Sequence, residues 1–379
     1  MNAIILAGGR GSRLDPLTRH LPKPLVPFFG RPLIAHQIHW LASYGIDKIV
    51  VSLGHLGPMI EATLGSSMFG ARLQYVREDT PLGTAGAAVH ALQAVARNRN
   101  HPVLIIPGDC LADFDLSHLL DQFHRRPEPF AMVVHGVDDA RQFGVVEVKD
   151  GRVERLVEKP PAIDGRHLVN TGIYLMTPGA EAEWPQQRPL DFAFDVFPSL
   201  IASGTLAAFE EQGYWSDLGT LNQYRQSHFD ALLDRVHLGY RLKPGERVTI
   251  DHSARIIGPV WLGDDVTIDA HATVGPFAVI GQGSYIGPWS RVENAVIGQG
   301  AFLGAGTHIH DASIGDRVAI GGRCRIGSQS AVGADSRIGW GTHVRPGSRL
   351  APLTRISPVA SVSSLKMVTG AKEGSMVNS

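Results

Sequence analysis

At Ile280-Gly281-Gln282-Gly283-Ser284-Tyr285-Ile286-Gly287, an aliphatic residue followed by glycine recurs after six positions. From residue 250 to residue 356, every sixth residue is Ile, Leu or Val, and the spacing shortens to five residues only at 292–297 and 309–314. This period fits neither an amphipathic helix nor a hairpin sheet and is typical of a parallel β-helix. With three hexapeptides per coil, it predicts about six coils and, at about 4.8 Å per coil, a prism about 30 Å long. The periodic positions are Ile250, Ile256, Leu262, Ile268, Val274, Ile280, Ile286, Val292, Ile297, Leu303, Ile309, Ile314, Ile320, Ile326, Val332, Ile338, Val344, Leu350 and Ile356.

The chain before the repeat alternates between strand-like and helix-like patterns. Apolar runs predict strands, and the stretches between several of them have helical spacing. This alternation is typical of an α/β domain with a Rossmann-like, mostly parallel sheet, in which ligands bind at the carboxyl ends of the strands. Strands are predicted at 3–7, 48–53, 73–77, 103–107 and 130–134, and helices at 33–44, 84–97 and 221–236.

Three segments are therefore expected along the 379 residues. An α/β domain is predicted over 1–240, and a β-helix over 241–362. The run Leu242-Lys243-Pro244-Gly245 joins them. The remaining residues, 363–379, carry no period and are predicted to form a flexible tail.

The composition narrows the classes of function. The 35 basic and 36 acidic residues give a formal charge of -1, which argues against the basic surface needed for nonspecific nucleic-acid binding. The two cysteines, Cys110 and Cys324, support neither a disulfide framework nor a cysteine-rich zinc site, so a reducing cytoplasm is predicted. The amino terminus does not resemble an export signal, and no run approaches the roughly 20 apolar residues of a membrane span.

A glycine-rich loop follows the first predicted strand, in Leu6-Ala7-Gly8-Gly9-Arg10-Gly11-Ser12-Arg13-Leu14. Its backbone amides can wrap an anion, and its arginines can neutralise that anion. The loop lacks the Gly-Lys-Ser/Thr of a P-loop, and Leu14 stands where a dinucleotide fingerprint has its third glycine. Downstream, Pro22-Lys23-Pro24 holds one lysine in a stiff backbone, which suits an electrostatic clamp on a phosphate.

Together these two motifs resemble the signature of the sugar-1-phosphate nucleotidyltransferases, also called nucleotide-sugar pyrophosphorylases. The resemblance covers about residues 1–225 and is closest in pattern to the mannose-1-phosphate guanylyltransferases. The hexapeptide repeat is also familiar in that family and is similar to left-handed β-helices. Further motifs of the family follow in order: Pro81-Leu82-Gly83-Thr84-Ala85-Gly86, Gly108-Asp109, Phe143-Gly144-Val145-Val146, Glu158-Lys159-Pro160, Asn170-Thr171-Gly172 and Gly213-Tyr214-Trp215-Ser216-Asp217-Leu218-Gly219.

The resemblance implies that a sugar-1-phosphate oxygen attacks the α-phosphorus of a nucleoside triphosphate and releases pyrophosphate. It implies GTP as the favoured nucleotide, and mannose-1-phosphate or a sugar-like phosphate as the acceptor. Such chemistry depends on positioning and charge stabilisation, for which Mg²⁺ is the implied cofactor. The implied catalytic residues are Arg13, Lys23, Asp109 and Asp217, with Asp109 and Asp217 as the metal ligands. The implied nucleotide site is Leu6, Ala7, Gly8, Gly9, Gly11, Ser12, Arg13, Lys23, Glu78, Gly83, Thr84 and Asp109, and the implied sugar-phosphate site is Gly144, Glu158, Lys159, Asn170 and Thr171.

Glu78 is interpreted as the residue that selects the base. Thymidylyl relatives resemble this chain but have a glutamine five residues before the glycine that is here Gly83. Guanine presents two adjacent donors, and a carboxylate accepts from both, whereas uracil and thymine present one N–H between carbonyls, which an amide matches. Glu78 therefore predicts a preference for GTP.

Two alternatives stay open at this stage. Some hexapeptide-repeat proteins are acyltransferases that use a histidine between coils, and His271, His308, His310 and His343 are available. A non-catalytic regulatory relative would bind nucleotide sugars, although the residues expected to hold phosphate and metal are all present. The flat faces of the β-helix predict a homo-oligomer to which the repeat contributes no catalytic group. Asp113 and Asp115 are interpreted as helix caps.

Overall fold

The computed structural model describes residues 2–9, 11–95, 101–161 and 165–362. The chain divides into two compact units: unit 1 holds residues 1–9 and 33–217, and unit 2 holds residues 10–32 and the chain from 218 onward. The predicted domain boundary at residue 240 stays a prediction. The predicted tail, 363–379, lies outside the described residues.

The described residues up to 232 alternate strands and helices as predicted, although two helices end several residues earlier than expected. Helix α6 ends at Leu232 instead of residue 236, and α3 ends at Leu92 instead of residue 97, of which 96 and 97 lie outside the described residues. The helices are α1 (Leu33–Ser43), α2 (Gly57–Leu64), α3 (Thr84–Leu92), α4 (Leu116–His124), α5 (Phe197–Ala202) and α6 (Leu221–Leu232). The strands are β1 (Asn2–Ala7), β2 (Pro27–Phe28), β3 (Arg31–Pro32), β4 (Lys48–Leu53), β5 (Ser67–Met68), β6 (Ala71–Arg77), β7 (Val103–Pro107), β8 (Leu111–Ala112), β9 (Phe130–Val137), β10 (Gly144–Lys149), β11 (Arg152–Glu158), β12 (His167–Met176), β13 (Leu206–Glu210) and β14 (Trp215–Ser216).

Unit 1 is built on one ten-stranded mixed sheet in the order β10-β11-β13-β9-β12-β7-β1-β4-β6-β5. Strands β7, β1, β4 and β6 are parallel neighbours, as the sequence predicts. Strand β12 is antiparallel to β7 and to β9, and it links this parallel group to β9, β13, β11 and β10. Because parallel neighbours end at the same edge, the residues after β7, β1, β4 and β6 lie side by side.

The core of unit 1 explains why these strands read as continuous apolar runs. Parallel strands covered on both faces need hydrophobic side chains at successive positions, and Ile4, Val50 and Ile105 are fully buried. Helix α3 packs on β1 and β4 through the small residues Ala85 and Ala88, which belong to the same apolar cluster. Small side chains at this face let the helix approach the sheet closely.

The carboxyl-terminal part of unit 2 is a parallel β-helix, which confirms the hexapeptide prediction. Its three sheets contain seven, seven and six strands, and every pairing between coils is parallel. The first sheet contains Thr249–Ile250, Thr267–Ile268, Tyr285–Ile286, Phe302–Leu303, Ala319–Ile320, Arg337–Ile338 and Arg355–Ile356. The second contains Arg255–Ile256, Thr273–Val274, Arg291–Glu293, His308–His310, Arg325–Ile326, His343–Val344 and Ser361–Val362, and the third Val260–Leu262, Ala278–Ile280, Ala295–Ile297, Ser313–Ile314, Ala331–Val332 and Arg349–Leu350.

The periodic side chains fill the interior of the β-helix, but those of the first coil are more exposed. From Ile268 to Leu350 they are buried, whereas Ile250 and Ile256 are 44% and 41% exposed. A side chain in an interior coil packs between the coils on either side, and the first coil has a neighbouring coil on only one side. Small hydroxyl residues close the corners, as when Ser290 Oγ donates to the carbonyl of Gly304 in the next coil at 3.1 Å.

Within unit 2, residues 11–32 contact helix α6 and the β-helix. The sequence did not indicate these contacts. Tyr224 Oη of α6 donates to the carbonyl of Pro27 at 2.7 Å. Arg349 Nη1, on the third sheet of the β-helix, donates to the carbonyl of Asp15 at 3.2 Å. The segment that carries Arg13 and Lys23 is thus fastened by residues about 200 and 330 positions away in the sequence.

Among the residues that the structure describes, the helices are all too short or too polar to cross a lipid bilayer.

Candidate active site

The glycine loop after β1 lies between the ends of its two neighbouring strands. The amide of Gly108, after β7, donates to the carbonyl of Leu6 at 2.7 Å, and the amide of His55, after β4, donates to the carbonyl of Gly8 at 3.3 Å. A Cβ on Gly54 would lie 2.8 Å from the Cα of Gly8, so only glycine permits this approach. The predicted nucleotide residues Leu6, Ala7, Gly8 and Gly9 therefore line the edge where parallel α/β sheets bind ligands.

Glu78 lies at the same edge, directly after β6, and its carboxylate is held by two donors. The hydroxyl of Ser52 donates to Oε1 at 3.1 Å, and the amide of Leu82 donates to Oε2 at 3.1 Å. Oε1 also faces the glycine loop, because a Cβ on Gly8 would lie 3.1 Å from it. A carboxylate has about four acceptor positions, so two remain after these contacts.

Gly83 and Thr84 begin helix α3 against the segment that follows Arg188-Pro189. The amides of Ala85 and Gly86 both donate to the carbonyl of Leu190 at 3.0 Å. The hydroxyl of Thr84 donates to Asp191 Oδ2 at 2.9 Å and accepts from the amide of Phe192 at 3.0 Å. The start of α3 is thus already bonded to the protein, and the nucleotide contacts of Gly83 and Thr84 stay a prediction.

Asp109 and Asp217 lie at the same end of a short antiparallel pairing. Strand β8 pairs with β14 in the register Leu111 to Ser216, which sets the residues before Leu111 beside the residue after Ser216. Asp113 strengthens this pairing, because its Oδ1 accepts from the amide of Tyr214 at 2.6 Å. The two carboxylates predicted to bind metal therefore come from neighbouring backbone segments within unit 1.

Asp109 and Asp217 fit a divalent metal only if the substrate supplies further oxygen ligands. Two carboxylates supply hard oxygen ligands, but Mg²⁺ prefers six, several of which commonly come from water and phosphate. No group of three or more His, Cys, Asp or Glu side chains that could hold a metal occurs among residues 2–9, 11–95, 101–161 and 165–362. The arrangement suits a metal that arrives bound to a triphosphate.

The predicted sugar-phosphate residues Gly144, Glu158 and Lys159 come together where β10 pairs with β11. Gly144 pairs with Glu158 in the antiparallel register, and a Cβ on Gly144 would lie 2.7 Å from Glu158 Oε2. Lys159 Nζ lies 3.2 Å from Glu158 Oε1, with the lysine side chain 60% exposed. These groups present one carboxylate and one ammonium at the surface of unit 1.

Asn170 and Thr171 form a bulge in β12. Asn170 Nδ2 donates to Tyr174 Oη at 3.0 Å, and its Oδ1 accepts from the amide of Gly172 at 2.9 Å. Thr171 is 3% exposed, and its hydroxyl donates to the carbonyl of Val133 at 2.7 Å. The bulge interrupts the pairing with β9, as extra residues in one strand do. The Thr171 hydroxyl is thus engaged inside the protein, and its predicted contact with the sugar stays a prediction.

The remaining predicted residues, Gly11, Ser12, Arg13 and Lys23, belong to unit 2. Ser12 and Arg13 form part of a short 3₁₀ turn, and Lys23 begins another. The backbone of Gly11 lies against the Lys23 stem, since a Cβ on Gly11 would be 2.7 Å from Lys23 Cβ. Lys23 is 4% exposed, whereas Arg13 is exposed.

Several residues of this edge escaped the sequence analysis. Ser52, Gly54 and Leu190 have no motif of their own, although the glycine directly after an apolar run was a usable signal for Gly54. Asp115 is the helix cap that the sequence predicts, since its Oδ1 accepts from the amides of Ser117 and His118. Asp113 instead bonds to Tyr214, because β14 lies beside it.

The fold and this site define a class of protein, and comparison with known proteins agrees. Residues 2–232 match the nucleotidyl transferase family model, and residues 256–363 match the model of the GMPPB C-terminal domain. The chain belongs to the nucleotidyl transferase family. The predicted family, fold class and enzyme class, a sugar-1-phosphate nucleotidyltransferase, are confirmed. Members of this family generally use a divalent metal.

Within that family, the chain resembles proteins named for one reaction. A mannose-1-phosphate guanyltransferase beta-B of Xenopus laevis is 32% identical over 68% of this chain and 73% of its own length. A probable mannose-1-phosphate guanylyltransferase 2 of Arabidopsis thaliana is 30% identical over 78% of this chain and 90% of its own length. The mannose-1-phosphate guanylyltransferase of Mycobacterium tuberculosis is 32% identical over 78% of this chain and 79% of its own length.

A solved structure shows the same fold for the amino-terminal part. HddC from Yersinia pseudotuberculosis superimposes with a TM-score of 0.54 and 24% sequence identity, and covers 61% of this chain and 99% of its own. A second crystal structure of that protein is a complex with GMP-PN.

Proposed function

We propose that the protein transfers the guanylyl group of GTP to mannose-1-phosphate and releases pyrophosphate. The observation that carries this proposal is that Gly8, Glu78 and Asp109 follow the carboxyl ends of strands in one parallel group, β7-β1-β4-β6, with Asp217 on the segment that pairs beside Asp109. Phosphoryl-type transfer relies mainly on positioning and charge stabilisation, which such an edge can provide. The names of the relatives supply the choice of GTP and mannose-1-phosphate.

Glu78 is proposed to select guanine. Ser52 and Leu82 occupy one acceptor position on each carboxylate oxygen and hold both oxygens in a fixed orientation. The two remaining positions can accept the N1–H and the amino group of guanine. Guanine offers adjacent donors, so it matches a carboxylate better than uracil or thymine does.

Asp109 and Asp217 are proposed to hold Mg²⁺ together with oxygens of the triphosphate. A bound Mg²⁺ would neutralise part of the phosphate charge and favour in-line attack. The pairing of β8 with β14 fixes the backbone close to both aspartates. This pairing supports a shared metal site, because it brings the backbone segments that carry Asp109 and Asp217 beside each other.

The sugar phosphate is proposed to meet Lys159, while Glu158 accepts from sugar hydroxyls. The ion pair between them, at 3.2 Å, keeps the two charged groups together at the end of β11. Gly144 leaves room beside Glu158, and Asn170 and Thr171 are proposed to shape the pocket through the bulge of β12. Arg13 and Lys23 are proposed to bind the triphosphate, as Arg and Lys do in phosphate sites.

The test is a matrix of nucleoside triphosphates against sugar-1-phosphates, read by release of pyrophosphate in the presence of Mg²⁺. Release with GTP and mannose-1-phosphate well above the other pairs supports the proposal. Release with another nucleotide or acceptor moves the assignment to that pair. No release with any pair, accompanied by consumption of acyl-coenzyme A, favours the acyltransferase interpretation instead.

A homo-oligomer and a cytoplasmic location are also proposed. The surface of the β-helix exposes large apolar side chains, among them Trp289 at 64% and Phe302 at 49%. Sedimentation velocity of the full chain tests association, and a single species of monomer mass would contradict it. The two cysteines, both buried, fit a reducing compartment.

A further inference from the structure

Gln37 is a buried polar residue of helix α1 that contacts the turn carrying Asp109. It is 2% exposed, and it stands among the apolar residues with which α1 packs in unit 1. Its Nε2 lies 2.6 Å from the carbonyl of Pro107 and 2.8 Å from the carbonyl of Cys110, and it also reaches Cys110 Sγ at 3.2 Å. The two carbonyls flank Gly108 and Asp109, so a single amide bridges both ends of that turn.

The chemistry of the partners determines the orientation of the Gln37 amide. Both carbonyls can only accept, so the NH₂ group must face them and its two hydrogens are both used. Oε1 is then buried without a hydrogen-bond partner among the residues that the structure describes. A buried acceptor without a partner is unfavourable, and an apolar side chain of the same shape would avoid it. A glutamine at this position is therefore better explained by what its two donors hold than by the packing of α1.

Other contacts of the turn also act close to Asp109. The amide of Gly108 donates to the carbonyl of Leu6 at 2.7 Å, which joins the turn to the glycine loop. Directly after Cys110, Leu111 pairs with Ser216, the residue before Asp217. A shift of the backbone at Cys110 would therefore change the position of Asp109 relative to Asp217.

We propose that Gln37 is a positioning residue that orients Asp109, and through Leu111 also Asp217, toward a divalent metal. This inference rests on the proposed metal site. Gln37 touches neither substrate nor metal. It acts by holding the backbone on both sides of Asp109, as residues behind a metal ligand commonly do.

The test compares two substitutions at Gln37 with a matched control on the same helix. Gln37→Met preserves the size of the side chain without donors, and Gln37→Glu preserves its shape but replaces the NH₂ donor with an acceptor. Trp40→Phe is the control, because Trp40 Nε1 donates to the carbonyl of Phe114 at 3.1 Å from the same buried helix but outside the turn. Binding of Mn²⁺ to each purified protein is measured by electron paramagnetic resonance with a non-cleavable α,β-methylene analogue of GTP.

We expect the dissociation constant for Mn²⁺ to rise by about 10- to 100-fold in both Gln37 variants, and kcat at fixed Mg²⁺ to fall by a similar factor. KM for the sugar phosphate should change less than about twofold, and higher Mg²⁺ should recover part of kcat. Trp40→Phe should match the wild type in Mn²⁺ affinity even where its melting temperature falls. If Gln37→Met does not fold, Gln37→Glu alone decides the result.

Wild-type Mn²⁺ affinity in a folded Gln37 variant would overturn the inference. Equal losses of Mn²⁺ affinity in Trp40→Phe would also overturn it, because they would reflect general destabilisation of α1. A wild-type protein that binds no Mn²⁺ with the nucleotide analogue would instead refute the proposed metal site, which separates the two failures.

Discussion

Replacing Glu78 by glutamine is expected to weaken the preference for GTP over UTP or dTTP. In the native site, Ser52 donates to Oε1 and the amide of Leu82 donates to Oε2. A glutamine must turn its oxygen toward Leu82, because a backbone amide only donates. Its NH₂ group then faces Ser52, whose hydroxyl can accept, so the surroundings select one orientation of the new amide.

That orientation sets the size of the effect. The base meets one acceptor and one donor instead of two acceptors, so guanine loses one hydrogen bond and places an N–H against an N–H. Leaving a buried donor without a partner costs about 1 to 3 kcal/mol, which corresponds to a ratio of roughly 5- to 150-fold. Uracil and thymine match the donor and acceptor of the new amide. The kcat/KM values for UTP and dTTP should therefore rise or stay the same.

The assay is kcat/KM for each nucleotide at saturating mannose-1-phosphate, measured by pyrophosphate release. Glu61→Gln is a suitable control, because it makes the same change in a carboxylate that is paired with Arg77. The ratio of kcat/KM for GTP to that for UTP should fall only in the Glu78 variant, and the dependence on Mg²⁺ should not change. An unchanged ratio, or a wild type that already prefers UTP or dTTP, would refute a role for Glu78 in base selection.

Two further predictions concern the metal site and the packing of unit 2. Asp109→Asn and Asp217→Asn should each lower kcat by about 100-fold or more without lowering the melting temperature. The control Asp115→Asn changes a helix cap and should leave kcat near wild type. Turnover near wild type in the Asp109 or Asp217 variant would contradict the assignment of these residues as metal ligands. Asp311→Ala should lower the free energy of unfolding in urea by about 3 to 5 kcal/mol, because it removes the carboxylate that pairs with Arg225, whose Nη2 lies 3.0 Å from Asp311 Oδ1 and whose side chain is 1% exposed. The buried guanidinium then keeps the neutral partners Ser313 and Gln329 but loses its counter-charge. Arg225→Met should cost much less, and equal losses in the two variants would show that the buried charge is not the cause.

Sequence pattern was sufficient wherever the determining interactions are local or repeat. The β-helix follows from one aliphatic side chain in each hexapeptide, because successive coils from Ile268 to Leu350 bury the same position against one another. The apolar runs at 48–53 and 103–107 coincide with β4 and β7, since strands covered on both faces need continuous hydrophobic residues. The motifs also placed Gly8, Glu78 and Asp109 after strands, which is where the sheet brings them together.

Tertiary structure alone decided which distant groups hold those residues in place. Gln37 is one of several polar residues in α1, and its two bonds to backbone carbonyls span about 70 positions of sequence. Likewise, the segment 11–32 is fastened by Tyr224 and Arg349, and no local pattern indicates this. Hydrophobic periodicity reports which face of an element is buried, because burial acts on each side chain separately. A buried hydrogen bond instead depends on where two chain segments meet after packing, and this information is present only in the folded structure.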